Sequence, residues 1–242
     1  MRAVRLFIPI LLIALLLPTV SAAQTASSDW WPEVEKLRET LPKERWKRVH
    51  KDAEALSAEV RSGSWHHPDL GRVLAEIAFC QAVAAAYLDL NDEAVWLWHL
   101  TLILNPRLQS RDLSAYNKAA KLFYEFPPRR LGEVPDGIRV AQSPFDRTFK
   151  APREPKDAVI PLLRNSGAAR ARPHPFRAEV VLDTSGRPRW PVVLSTDLHP
   201  ILIDASLRHV GGMPAWKPAE LAGGPVALLY RIEMAFRVNE RQ

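Results

Sequence analysis

The spacing of apolar residues changes once along this chain, and a proline-rich stretch marks the change. Before residue 126, apolar positions recur every three to four residues, which is the period of an amphipathic helix. After residue 175 they alternate with polar positions, which is the period of a strand. Nine of the 21 prolines lie between these two regions, in residues 126–175. The sequence therefore predicts an α+β protein, with an all-helical domain first, a Pro-rich linker in the middle and a small antiparallel sheet with one helix last.

Five helices are predicted in residues 28–125, separated by Pro, Gly and Asn-Pro signals. Short polar breaks join them, so consecutive helices are expected to pack antiparallel. The apolar positions that define them are Trp30, Val34, Leu37 and Leu41, then Trp46, Val49, Ala53, Leu56 and Val60, then residues 70–88, then residues 92–104, and finally Leu113, Tyr116, Ala120 and Phe123.

Part of this helical domain resembles a tetratricopeptide hairpin. In residues 70–106 the resemblance is carried by Asp92, Glu93 and Ala94, by Trp98, and by the Asn-Pro pair at 105–106. Such repeats recur about every 34 residues, and shifting the pattern by that period finds no second copy. The prediction is one degenerate unit or a generic helical hairpin.

The linker, residues 126–175, carries the positive excess of the chain. It contains ten basic and five acidic residues, while the whole chain has a formal net charge of +6. Its proline content is typical of an extended connector. Residues 159–163 are its one apolar patch, which can dock on either neighbouring region.

Residues 176–242 are predicted to form a strand, a second strand, a helix and a third strand. Two alternating segments flank a turn at residues 184–186. Pro200 begins the helix, and Gly211 and Gly212 end it. Residues 226–238 then alternate between apolar and polar positions along one long strand. One helix on one face of the sheet would bury these apolar sets.

Residues 1–23 have the order of a secretory signal. Arg2 and Arg5 precede an apolar run of 15 residues, and the small residues Ser21, Ala22 and Ala23 follow it. Crossing the hydrocarbon core takes about 20 residues, so a cleaved signal is favoured over an uncleaved inner-membrane anchor. We therefore expect a periplasmic protein, and export argues against nucleic acid as a partner.

Motifs for catalysis, cofactors or metals are missing from the sequence. It has no Gly-rich phosphate loop, nucleophile elbow or H-E-x-x-H motif. Its single cysteine, Cys80, lies in an apolar helical stretch, so a buried and inert thiol is predicted. For His66 and His67 beside Asp69, a solvated turn is favoured over a metal site. We expect no catalytic residue, no cofactor and no metal.

The C-terminal region resembles the C-terminal domain of the TonB family of energy transducers. The resemblance covers residues 176–238, about a quarter of the chain, and depends on the order and spacing of several short motifs. These are Asp183-Thr184-Ser185-Gly186, then Leu202, Ala205 and Leu207, then Trp216-Lys217-Pro218-Ala219, then Gly223-Gly224-Pro225-Val226, and lastly Phe236.

The resemblance implies a periplasmic module that takes an extended segment of an outer-membrane transporter as an added strand. An exposed sheet edge has unpaired N–H and C=O groups that such a peptide can satisfy. The candidate edge is the strand over residues 226–238. Coverage of both its edges, internally or by the mate in a homodimer, is the alternative. The predicted partner-binding residues are Leu228, Tyr230, Arg231, Ile232, Glu233, Met234 and Phe236.

The chain also departs from the family pattern. A transducer of this family keeps its N-terminal helix in the inner membrane with a functional His inside it, whereas residues 6–23 contain no His and look cleavable. The linker is shorter than the usual spacer, and a helical domain stands where the family has none. The prediction is a non-enzymatic binding or adaptor protein. An anchored transducer and a self-associating or peptidoglycan-bound structural module are the alternatives.

Overall fold

The computed structural model describes residues 29–63, 67–135, 138, 148–155, 159–163 and 174–239. The predicted signal, residues 1–23, and His66 of the histidine pair lie outside these ranges. Within them the fold is α+β, as predicted, with helices in the N-terminal region and an antiparallel sheet in the C-terminal region.

All five predicted helices are present, but two begin later than predicted. The second begins at Trp46 instead of Pro42, and the fifth begins at Asn117 instead of Leu113. Gly63 caps the second helix, and the fourth ends at Asn105-Pro106. Short 3-10 turns at Leu41–Lys43, Pro106–Ser110 and Ser114–Tyr116 connect some of them. The helices are α1 (Trp31–Thr40), α2 (Trp46–Ser62), α3 (Leu70–Tyr87), α4 (Asn91–Leu104) and α5 (Asn117–Glu125).

Helix α3 is the centre of the helical region. All but three of its residues are buried, and it packs against both α2 and α4. By length and composition alone α3 could cross a membrane, but 83 % of that segment is buried inside the fold. Its one buried carboxylate, Glu76, receives two hydrogen bonds of 2.8 and 2.9 Å from Arg111, so the charge is paired.

The C-terminal region follows the predicted order of strand, strand, helix and strand, with two additions. A short hairpin precedes the last strand, and the last strand is divided in two. Its elements are β2 (Phe176–Leu182), β3 (Pro188–Val193), α6 (Pro200–Gly212), β4 (Ala219–Leu221), β5 (Gly224–Val226), β6 (Leu228–Met234) and β7 (Phe236–Asn239).

The main sheet has the strand order β3-β2-β6 and is antiparallel throughout. Strand β2 pairs with β6 along its whole length, from Phe176 opposite Met234 to Leu182 opposite Leu228. The apolar patch of the linker forms a further strand, β1 (Ile160–Leu163), which runs parallel to β7. Of its two neighbouring regions, the patch therefore docks on the C-terminal one.

Two predicted boundaries change. The strand expected over residues 226–238 begins only at Leu228, because Val226 pairs with Ala219 in the short hairpin, and it is interrupted at Ala235, where its pairing passes from β2 to β1. Gly211 and Gly212 form the last turn of α6 instead of ending it. Packing explains Gly211, because a Cβ there would lie 2.5 Å from the indole nitrogen of Trp96, so α6 can approach α4 only with glycine at this position.

The helical and sheet regions share one hydrophobic core. Helix α6 packs against α2, α3 and α4, and β3 packs against α4. One cluster of buried apolar residues includes Leu74 and Leu100 from the helices, Leu202 from α6, and Phe176 and Ile232 from the sheet. The two regions are therefore in direct contact in addition to being joined by the linker.

A buried charge network lies at this contact. The side chain of Asp204, on α6, is fully buried and accepts hydrogen bonds from Arg61 of α2 at 2.7 Å and from Arg208 at 3.0 Å. Arg208 also donates to the side-chain oxygen of Gln81 on α3, at 2.6 Å. The network joins three helices from both regions, and its charges are paired as buried charges require.

Candidate functional site

The predicted partner edge is strand β6, and its side chains alternate as the sequence predicts. Ile232 and Met234 are buried in the shared core, whereas Arg231 and Glu233 are exposed. Tyr230 is half-buried and meets the ring of Trp216 edge-on, with centroids 5.6 Å apart. One side of the strand therefore belongs to the main core, while the other carries Arg231 and Glu233 and, at Leu229, contacts a smaller apolar cluster.

Backbone directions show which groups of β6 face outward. The carbonyl of Arg177 accepts a hydrogen bond from the N–H of Leu194, so the backbone N–H and C=O of Arg177 face β3. The backbone N–H and C=O groups of successive strand residues face opposite edges, so those of Ala178 face β6. The backbone groups of its partner Ile232 therefore face β2. Those of the next residue, Glu233, face the outer edge.

The same alternation sorts the predicted residues of the edge. Leu228, Tyr230, Ile232 and Met234 turn their backbone groups toward β2, while the outward N–H and C=O groups belong to Leu229, Arg231 and Glu233. Across the described ranges, no strand pairs with these outward groups. Leu229 was not singled out from the sequence, because alternation gives the two faces of a strand and not its two edges.

Strand β1 lies on the same outer edge, one step further along the chain. The N–H of Ile160 donates to the carbonyl of Ala235 at 3.0 Å. The backbone groups of Ala235 face the same side as those of Glu233. Strand β1 therefore pairs with the continuation of the edge that is open along β6. Ile160 is fully buried opposite the half-buried Phe236, whereas Pro161 and Arg237 are exposed opposite each other.

Another linker segment lies close to this edge. Lys150 forms a backbone bridge with Glu220 of β4, and Arg153 forms one with Lys217. The hydroxyl of Tyr230 is 3.4 Å from a carboxylate oxygen of Glu154. Residues 148–155 therefore run beside the C-terminal region rather than away from it.

The family-motif residues have structural positions beneath the edge. Gly186 has a φ of +80°, and a Cβ on it would lie 1.8 Å from the carbonyl oxygen of Trp216. The N–H of Trp216 in turn donates to the carbonyl of Gly186 at 2.9 Å. Ala219 is buried and pairs with Val226 across the hairpin. The others are Pro218, next to β4, Gly224 and Pro225 in β5, and Phe236 in β7.

A cavity of about 480 Å³ lies between the helices and the β2–β3 hairpin. Its apolar walls include Val95, Trp96, Phe126 and Trp190. Trp190 has a φ of +45°, a left-handed conformation that is strained for an aromatic residue. Local sequence patterns do not predict this cavity, because it forms only where the two regions meet.

Two aspartates at this cavity are paired with arginines of the β2–β3 hairpin. Asp92 accepts a 2.8 Å hydrogen bond from Arg187 and also pairs with Arg189. The hydrogen bond from Arg189 is the main reason that the pKa of Asp92 lies below its usual value. Asp183 accepts a 3.1 Å bond from Arg189 as well. The two pairs made by Asp92 tie α4 to the β2–β3 hairpin.

Burial shifts the pKa values of two side chains that often take part in catalysis, Cys80 and His99. Burial raises the pKa of the Cys80 thiol to about 12, as expected for the predicted inert thiol. Burial lowers the pKa of His99 to about 4, and its Nε2–H donates to the carbonyl of Phe126 at 3.0 Å. Among the described residues there is no group of three or more His, Cys, Asp and Glu side chains placed to hold a metal ion.

Comparison of the chain with models of protein families, with curated proteins and with solved structures finds no match. The resemblance of residues 176–238 to the TonB C-terminal domain therefore stays a prediction from their motifs. Among the described residues, the main feature of the site is the outer edge of β6, which has no strand partner, and its continuation in β7, which pairs with β1.

Proposed function

We propose that this protein is a non-enzymatic periplasmic adaptor that binds an extended peptide segment of a cell-envelope partner by adding it as a strand to the sheet. The partner class suggested by the TonB-like motifs is an outer-membrane transporter. One observation carries the proposal. The outer edge of β6 presents the backbone groups of Leu229, Arg231 and Glu233 without a strand partner among the described residues, and β1 already uses the continuation of that edge.

Main-chain hydrogen bonds would supply the affinity. Each bond of this kind contributes about 1 kcal/mol net, so a peptide covering the open edge of β6 gains a few kcal/mol before its side chains contribute. Specificity would come from the side chains beside it. Arg231 and Glu233 stand on the exposed face of the strand, so they favour a partner with opposite charges at the neighbouring positions.

These charges also oppose nonspecific pairing. Native proteins protect open edges with charged side chains, and β6 has an ion pair on its exposed face, Glu233 with Arg177 of β2 at 2.9 Å. A flat apolar strand would associate with any similar strand. The edge of β6 is therefore suited to selective capture.

The edge can be tested with proline because the outward residues are known. Glu233→Pro removes an N–H that points to the outer edge, which edge strands tolerate. The probes are fluorescently labelled synthetic peptides from periplasm-facing extended segments of outer-membrane transporters, and binding is measured by fluorescence anisotropy. We expect at least a tenfold loss of affinity in Glu233→Pro and retained affinity in Arg177→Ala, which removes the same ion pair but no edge group.

Ile232→Pro is the contrasting variant, because its N–H faces β2 and its loss should unfold the sheet. The proposal is wrong if wild-type protein binds none of the peptides, or if Glu233→Pro binds them as tightly as wild type does.

Periplasmic location is tested separately by the N-terminus and membrane partition of the expressed protein. A soluble chain that begins near Gln24 supports the adaptor. An intact chain beginning at Met1 in the inner membrane supports an anchored transducer instead.

A further inference from the structure

We infer that β1 is an internal occupant of the peptide-binding edge, and that a partner binds by replacing it. The partner would run parallel to β7 and place an aliphatic side chain where Ile160 lies. This inference rests on the proposed function, because it specifies how the same edge is occupied and what chemistry the incoming peptide needs.

The first support is continuity of the edge. Glu233 of β6 and Ala235 direct their backbone groups to the same side, and the N–H of Ile160 donates to the carbonyl of Ala235. A peptide extending along β6 toward the C-terminus of the strand would therefore meet β1 immediately. Both cannot occupy the positions beside β7.

The second support is the anchor. Among the described linker residues, Ile160 alone belongs to the shared hydrophobic core, and it is fully buried. Strand β1 also contacts helix α6. The socket beside Phe236 is thus shaped for an aliphatic side chain, and burying one there is worth about 1.5–3 kcal/mol. A partner would need such a residue at this position.

The third support is Pro161, which makes the outer side of β1 a poorer template for a further strand. The N–H of Ile160 points to β7, so the next residue directs its nitrogen away from β7. That residue is proline, which has no N–H to offer to a further strand. While β1 is bound, the outer side of the strand therefore lacks the N–H that residue 161 would otherwise offer to a further strand.

Displacement is feasible because β1 is short. It pairs over four residues, from Ile160 to Leu163, and most of its advantage is that it is tethered. Tethering gives an effective concentration in the millimolar range. A longer partner can use both the socket and the open edge of β6, whereas β1 uses only the part beside β7. Occupancy by β1 lowers the apparent affinity of the partner by the fraction of protein in which the edge is free.

A reversible lock tests the inference directly. Pro161 and Arg237 are paired and exposed, so P161C/R237C places two thiols at neighbouring positions of adjacent strands, within the separation that a disulfide bridges. Cys80 is buried and does not compete. We expect the reduced protein to bind the labelled transporter peptides at least tenfold more tightly than the same protein after oxidation. Equal affinity in the two redox states overturns the inference.

A second experiment uses the protein's own segment as the probe. Ile160→Asp removes the anchor, and a labelled synthetic peptide of residues 156–166 is then offered in solution. We expect the variant to bind this peptide at least tenfold more tightly than wild-type protein does. A peptide that carries Asp at position 160 should not bind. If the variant is folded and ignores the wild-type peptide, β1 is not a replaceable strand. If the variant does not fold, the redox comparison decides.

The two experiments separate this inference from the proposed function. Binding of the protein's own segment without binding of any transporter peptide supports a replaceable β1 and contradicts the proposed partner. Transporter peptides that bind equally to the oxidised and reduced double variant support the adaptor and contradict replacement of β1.

Discussion

The indole N–H of Trp96, on helix α4, donates a 2.8 Å hydrogen bond to the carbonyl oxygen of Leu207, on helix α6. The bond joins a helix of the N-terminal region to the helix that covers the sheet. Gly211 lies against the same indole, where a Cβ would be 2.5 Å from its nitrogen. This contact fixes how closely the two regions approach.

Gly211→Ala should therefore force Trp96 and α6 apart. We expect a loss of about 1–3 kcal/mol in the free energy of unfolding, measured with urea, because overpacking a fitted contact strains both sides. Gly212→Ala is the matched control in the same helical turn, since its Cβ would meet nothing within 4 Å. That variant should be neutral or stabilised by up to about 1 kcal/mol. Equal effects of the two substitutions would contradict this account of the contact.

Asp204→Ala should be strongly destabilising. Arg61 and Arg208 would lose the buried carboxylate that pairs with them, and breaking a buried pair by removing one partner costs about 3–5 kcal/mol. Urea unfolding of the full chain measures the change. Asp52→Ala removes an exposed ion pair with Arg48 on α2 and should change stability by less than about 1 kcal/mol. A loss in Asp204→Ala no larger than this control would show that the network adds little.

The burial of His99 predicts a dependence of stability on pH. Its pKa is about 4 in the folded protein, below the ordinary value of 6.5, so the unfolded chain binds the proton more readily. The stabilising contribution is complete above about pH 6.5 and is lost as the pH falls toward 4, by about 3 kcal/mol in all. We expect the stability difference between wild type and His99→Gln to shrink by this amount between pH 7 and pH 4. A stability difference that stays constant between pH 7 and pH 4 would contradict this account.

Gly186→Ala should disrupt the sheet region. The new Cβ would lie 1.8 Å from the carbonyl oxygen of Trp216, so the two segments would have to separate and lose the hydrogen bond between them. We expect a loss of more than about 3 kcal/mol, or failure to fold. Gly223 has a similar φ of +83° with nothing within 4 Å of its Cβ position. Gly223→Ala should cost only the left-handed backbone term, about 1 kcal/mol, so thermal unfolding of both variants separates the clash from the backbone strain.

The helices and the order of the sheet elements were predictable because local signals determine them. Asn105-Pro106 ends α4 whatever surrounds it, and Pro200 begins α6 with a ring that suits the first helical turn. The alternation in β6 likewise identified Ile232 and Met234 as core residues. These signals depend on a residue and its near neighbours, which a sequence displays directly.

Long-range relationships were not predictable in the same way. Residues 159–163 were recognised as apolar, but their parallel pairing with β7 depends on a strand some 76 residues later. Asp204 stood out from no motif, because its partner Arg61 lies 143 positions earlier in the chain. The pairing with β2 uses the backbone N–H and C=O groups of Leu228, so the outward groups are those of Leu229. This depends on the register between the two strands. Contacts of this kind are decided by tertiary packing, to which local patterns give no access.

The carboxylate of Asp204 has a consequence for any attempt to divide this protein. A fragment of residues 174–239 would retain the sheet and α6, but it would place Asp204 and the apolar side of α6 against water, without Arg61, Gln81 or Trp96. The linker looks like a natural cutting point, yet a cut there leaves both pieces with surfaces made for each other. The smallest portion of this chain that can be transplanted or displayed intact therefore includes α2, α3 and α4 together with the sheet.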